Sequence, residues 1–256
     1  MKRKIKQSFD LGAVAYDKFS EVQKEVGRLL LDFFKKNFPK KQNYNIYKDP
    51  ISLVDLGCGT GDFSKKIISN FSIDKIKLID ISSEMIKCSK EKIKEKKVEF
   101  LVCDFDKYFE LAEFNLIVSN MALHWSLNLN KLLKNIISNM RAGSFFIFSV
   151  PNNNSFSNFK KFLPKDIMNN FFNVFPGEDM MLNLRKNKNI NFCTKKIKIF
   201  RKYFHPLHFL KELRKLGVNI KINNKQHNLF FLKKIDNKEF FLDYDISLCL
   251  IKKNET

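Results

Sequence analysis

The chain has 256 residues, 44% of them apolar, enough to bury a sizeable core as one globular domain with an elaboration, or as two small domains at most. Its 47 Lys and Arg against 27 Asp and Glu give a formal net charge of +20, which suits an acidic partner; Lys and Asn are so abundant, even in turns such as Asn152-Asn153-Asn154, that a compositional bias explains it equally well. No charge-free apolar run could cross a bilayer, the basic start Met1 to Gln7 leads into no apolar leader, and Cys58, Cys88, Cys103, Cys193 and Cys249 form no C-x-x-C pair. These features speak against a membrane span, a disulfide framework and a zinc site, and predict a cytoplasmic protein with reduced thiols and no metal.

In chain order, residues 5–38 read as helical, with Val22, Val26, Leu29, Leu30 and Phe33 as an apolar stripe that suits core packing. Strands are predicted at Ile51–Leu56, Lys75–Asp80, Val98–Cys103, Phe114–Asn120 and Ser144–Val150. Helices fall between them at Thr60–Phe71, Ser83–Glu95 and Asn128–Met140, the last with Leu129, Leu132, Leu133, Ile136 and Ile137 on one face. This alternation is the pattern of a parallel α/β sheet. From Pro151 to about Thr194 the regular pattern stops, and an insertion leaving the fifth strand is well placed to cover a site at the strand ends. Lys195–Phe204 reads as a strand, Pro206–Leu216 as a helix ending at Gly217, and Glu239–Ile251 as the last strand; Gln226–Ile235 permits either element. The predicted division is 1–47 helical region, 48–150 core, 151–194 lid and 195–256 C-terminal elements, in one domain.

The segment Val54-Asp55-Leu56-Gly57-Cys58-Gly59-Thr60-Gly61 carries the chemistry. An apolar strand ends in an acid, and alternating glycines then let backbone approach a ligand before a helix N-terminus. The spacing G-x-G-x-G differs from the dinucleotide fingerprint, and no Gly-Lys-Ser/Thr follows as in a phosphate-binding P-loop. Asp55, Gly57, Gly59 and Gly61 resemble motif I of the class I S-adenosylmethionine (SAM) methyltransferases. A SAM site also needs an acceptor for the ribose hydroxyls, and Asp80 ends the second strand where such an acid stands in βαβ nucleotide sites, although a turn or cap aspartate sits there as well. Met85 is placed to lie over adenine. After the third strand, Asp104 is placed to accept from the adenine amine, or to cap a helix, and Phe105 to line the ring. The loop Ser119 to Trp125 follows the fourth strand; it lacks the Asn/Asp-Pro-Pro-aromatic and Pro-Cys sequences of base methylation, which disfavours nucleic acid as substrate. His124 is a candidate base or a packed core histidine, and Trp125, the only tryptophan, a candidate pocket wall.

Over most of its length the chain resembles a narrower family, the malonyl-[acyl-carrier protein] O-methyltransferases of biotin synthesis. Phe9, Ala13, Tyr16 and Gln23 match its opening, and Phe114 to Trp125 its loop after the fourth strand. Phe162-Leu163-Pro164 resembles a lid motif, and Phe209 to Gly217 the basic helix before its final turn. Asn115 stands where that family has an acid, and Val218-Asn219 where it has small residues. The resemblance implies a Rossmann-like sheet of seven mostly parallel strands with the last antiparallel, helices on both faces and a helical lid. It implies Tyr16 and Gln23 closing over the methionine end of SAM beside Asn120, and Gln226–Ile235 as a helix. The implied reaction methylates the free carboxylate of malonyl-carrier protein or malonyl-CoA, leaving S-adenosylhomocysteine (SAH). On this reading Tyr16 and His124 are the catalytic candidates. Lys211 and Arg214 contact the carboxylate or phosphopantetheine, unless they are simply a solvated helix face, and the acidic carrier protein is the partner. The alternatives are a SAM methyltransferase for another small acid or for RNA, and a non-methylating assembly factor with the SAM fold.

Overall fold

The computed structural model describes residues 1–37, 50–95, 97–161, 175–217 and 239–255. Seven strands, β1 (Ile51–Leu56), β2 (Ile73–Asp80), β3 (Val98–Val102), β4 (Leu116–Asn120), β5 (Phe145–Pro151), β6 (Ile190–Tyr203) and β7 (Phe240–Lys253), form one sheet in the order β3-β2-β1-β4-β5-β7-β6. The first five are parallel, and β7 runs antiparallel to both β5 and β6. This is the seven-stranded, mostly parallel sheet expected. The order reverses direction between β1 and β4, and a crevice opens beyond the carboxyl ends of strands at such a point.

Each central strand is buried on both sides, and its alternate residues feed two cores. Leu53, Leu78, Val118 and Ile147 face one core, together with α2 (Glu21–Asn37), α3 (Asp62–Ile68) and α4 (Ser83–Lys92). Val54, Ile79, Ile117 and Phe146 face the other, against α5 (Leu129–Asn139). Local signals agree with these elements. Ser82 caps α4 by accepting from Met85 N at 3.1 Å, and Asn128 caps α5 by accepting from Lys131 N at 3.0 Å. Asn115 accepts from Ser52 N at 3.0 Å, tying the start of β4 to β1.

The helical N-terminal region is two helices, α1 (Lys2–Phe19) and α2, broken at Ser20. One expectation needs correction. Ile190–Thr194, assigned above to the lid, is the beginning of β6. There an edge strand buries Ile190 and leaves most neighbours half-exposed, so its apolar pattern is weak. Between β5 and β6 lie α6 (Ser157–Lys160) and α7 (Glu178–Arg185). Phe162-Leu163-Pro164, Val218-Asn219 and Gln226–Ile235 lie outside the described residues. The helix α8 (Pro206–Lys215) ends before Gly217, as expected.

Candidate active site

After β1 the chain reverses through Gly57, Gly59 and Gly61, at φ +81°, +54° and +81°, where side chains are strained. Their bare Cα atoms serve three different ends. A Cβ on Gly57 would lie 2.4 Å from that of Ala122, so the turn runs flush against the loop after β4. One on Gly59 would meet nothing within 4 Å. One on Gly61 would stand 2.6 Å from Ser89 Oγ and 2.9 Å from Ile93 Cδ1, so this glycine packs α3 on α4 and does not line the cleft, contrary to the sequence expectation.

A cleft of about 1200 Å³ opens at the strand ends, and an adjoining recess of about 400 Å³ shares Tyr16, Gln23, Gly57, Gly59 and Asn120 with it. Asp80, at the end of β2, accepts from Gly59 N at 2.9 Å and from Ser82 N at 2.8 Å, so it fixes the turns after β1 and β2 while facing the cleft. Met85, Asp104 and Phe105 line the same end. Asp104 also caps its turn, accepting from Asp106 N at 3.1 Å. Asp55 borders the recess; its Oδ2 accepts from Ser64 Oγ at 2.5 Å. Asn120 donates to Gln23 O at 2.9 Å and accepts from Ser149 Oγ at 2.8 Å, which holds α2 against the ends of β4 and β5.

Three buried polar atoms around the cleft lack a partner among the described residues: Gln23 Oε1, Asp55 Oδ1 and His124 Nδ1. Native proteins rarely leave such atoms unpaired unless something else satisfies them. Burial and the nearby Asp80 charge push Asp55 up to about 7, against the Ser64 hydrogen bond. Burial also raises Asp80, to about 6, although the Ser82 and Gly59 N–H groups oppose it. His124 is pushed down to about 3 by burial, so its imidazole is neutral. Burial and the charges of Asp80, Asp17 and Asp62 raise the Tyr16 phenol, which keeps its proton.

The other end of the cleft is aromatic. Trp125 packs edge-on against Phe9 at 5.3 Å, His124 lies 5.2 Å from Trp125 and 5.7 Å from Phe175, and Phe156 meets Tyr244 at 4.9 Å. Lys211 and Arg214 do not belong to this wall. The stripe Phe209, Leu210 and Leu213 turns inward, Leu213 reaches the cleft, and both basic side chains are exposed on the opposite face of α8. That stripe was visible in the sequence. Sequence reasoning missed Lys2, Phe156, Phe175 and Tyr244, which line the cleft from distant parts of the chain.

A family model described as a methyltransferase domain matches residues 48–205, more than half of the chain. A malonyl-[acyl-carrier protein] O-methyltransferase of Ilyobacter polytropus is 30% identical over 229 residues, 88% of this chain and 81% of its own. One from Coxiella burnetii is 26% identical over 99% of this chain and 97% of its own. The N-methyltransferase NodS of Bradyrhizobium japonicum, solved with S-adenosyl-L-homocysteine, shares the fold with a TM-score of 0.53 at 12% identity, covering 90% of this chain and 87% of its own. With the strand order, the family match and a relative of this similarity in agreement, the chain belongs to the SAM-dependent methyltransferases and, among them, to the malonyl-[acyl-carrier protein] O-methyltransferase family.

Proposed function

We propose that the chain transfers the methyl group of SAM to the free carboxylate of a malonyl thioester, on acyl-carrier protein or coenzyme A, as an early step of biotin synthesis in the cytoplasm. The observation that carries this reading is the division of the cleft. One end is rich in acceptors; the other is aromatic, and neither His124 nor Tyr16 is suited to take a proton there at neutral pH. Such a site suits a nucleophile that is already ionised, as a malonyl carboxylate is near pH 7. The Ilyobacter and Coxiella relatives support the same choice by their names.

The residues present fit SAM. Asp55 Oδ1 and Gln23 Oε1 are buried acceptors without donors among the described residues, which an ammonium group would satisfy. Gly57 and Gly59 bring bare backbone to the same place, and Asn120 holds Gln23 by its carbonyl. Asp80 takes the ribose hydroxyls, Asp104 the adenine amine, and Met85 and Phe105 flank the ring. Bound SAM supplies a methyl group on a positively charged sulfur. The chain's own task is then to bind, orient and exclude water. Tyr16 stays protonated and is a hydrogen-bond donor beside the turn. Neutral His124, with Trp125, Phe156 and Phe175, walls the acceptor end. An apolar wall strips water from the carboxylate without the countercharge that would blunt it. Lys211 and Arg214, exposed on α8, suit the carrier protein or its phosphopantetheine outside the cleft rather than the carboxylate within.

Incubation with labelled SAM and, separately, malonyl-carrier protein, malonyl-CoA, free dicarboxylic acids and RNA tests this. A base-labile ester on the malonyl thioesters is the expected product. Label on RNA alone would overturn the reading, and tight SAM binding with no transfer to any acceptor would point to the non-methylating alternative.

A further inference from the structure

The nucleotide end of the cleft is covered by α1, and the cover is fastened by charge. This helix of 18 residues fully buries only Ser8, Gly12 and Ala13, while Tyr16 and Phe19 pack half-buried against the core and Phe9 packs on Trp125. Polar side chains on its flank add further ties. Asp17 accepts from Thr60 Oγ1 at 2.6 Å and pairs with Lys92 at 2.7 Å, and Asp10 accepts from Ser82 Oγ at 2.6 Å. At the start of the helix, Lys2 Nζ lies 2.9 Å from Asp104 Oδ1, 2.8 Å from Asp106 Oδ2 and 4.7 Å from the centre of the Phe105 ring. Only 17% of the Lys2 side chain and 14% of that of Asp104 are exposed, so water screens this pair less than one on the surface.

We propose that Lys2 is a positioning residue that bolts α1 over the nucleotide end of the cleft, and that Asp104 gives up this bolt to the adenine amine when SAM or SAH enters. The exchange rests on the assignment of Asp104 to adenine made above. It is a change of hydrogen-bond partner at one carboxylate, with no proton moved: the ammonium keeps Asp106 while Asp104 takes the amine. Asp106 in turn accepts from Ser126 Oγ at 2.6 Å and from Leu127 N at 3.1 Å, just after Trp125. Lys2 therefore ties the helix start to the loop that carries the aromatic wall. Phe9 ties the same two elements through its edge contact with Trp125.

Because Trp125 is the only tryptophan, its fluorescence reports on α1 without any reaction. The test uses the full chain with a C-terminal tag, as wild type, Lys2→Met, Lys2→Arg and Asp104→Ala. Acrylamide quenching of Trp125 is measured without ligand, and the SAH dissociation rate by stopped flow. Lys2→Met should raise quenching about twofold and SAH dissociation about fivefold, while Lys2→Arg stays near wild type, because charge and reach are kept. Unchanged quenching and dissociation in Lys2→Met, with Asp104→Ala weakening SAH, would overturn the bolt and leave the adenine assignment standing. Lys2→Arg behaving like Lys2→Met would overturn it too, by showing that charge is not what holds. SAH binding by Asp104→Ala as by wild type would overturn the adenine assignment, and the exchange with it.

Discussion

Asp55 is 1% exposed, and half of its carboxylate has no partner among the described residues. In the unfolded chain an Asp titrates near 3.8; here the pKa stands at about 7, so the folded state holds the proton more tightly. Its contribution to stability is therefore complete below about pH 4 and lost as pH rises through about 7. Thermal melts of the ligand-free protein should show Asp55→Asn gaining on wild type between pH 5 and pH 8, by on the order of 2 kcal/mol. His124 works in the opposite sense: lowered from 6.5 to about 3, it contributes above its unfolded value and loses that contribution as pH falls. If an ammonium group fills the gap beside Asp55, SAH binding near pH 6.5 should release a proton. Calorimetry in buffers of different ionisation enthalpy will show that release, and Asp55→Asn should abolish it. The glycines separate in the same way. Gly57→Ala forces a Cβ onto Ala122 and should cost roughly 1–3 kcal/mol in a melt. Gly59→Ala meets open space, so beyond backbone strain its effect should fall on SAH affinity. The acids at successive strand ends were legible because strand ends are where an α/β fold binds. Which glycine faces the cleft was not, since Gly61 differs from Gly59 only by what α4 brings near it. Lys2 was equally hidden, its partner Asp104 being 102 residues away in sequence.

Among the elements, the buried strands announced themselves through short apolar runs, and α5 through a stripe of period 3.6. β6 was read five residues late because an edge strand buries only part of its length. The outward turn of Lys211 and Arg214 follows from the apolar stripe of their own helix, whose orientation outweighs their convenient spacing. α1 shows a further limit of pattern reading, since its docking to the end of α8 is made by backbone. A Cβ on Gly12 would lie 2.7 Å from Gly217 N, and Gly217 itself holds φ +73°. Gly12→Val should therefore lift α1 from this seat. Limited proteolysis should cut the variant within residues 2–19 several times faster than wild type, while its sheet melts with little change.

At the scale of the whole molecule, the net charge of +20 makes salt a probe of the substrate's carrier. If an acidic carrier protein docks on this surface, raising KCl from about 0.05 to 0.5 M should raise KM for malonyl-carrier protein by roughly tenfold or more. KM for malonyl-CoA should move less, because far fewer charges meet. Equal salt effects on both would assign the basic residues to composition alone. No described helix is long and apolar enough to cross a membrane. The order of the strands also gives synthesis a direction. β7 lies between β5 and β6, pairs with both along their length, and is buried from Leu242 to Ile251. Until Phe240–Lys253 leaves the ribosome, β5 carries an open edge and β6 has no neighbour to join among the described strands. The roof and floor of the cleft can begin to form on the nascent chain, but its sheet cannot close before the last strand is made.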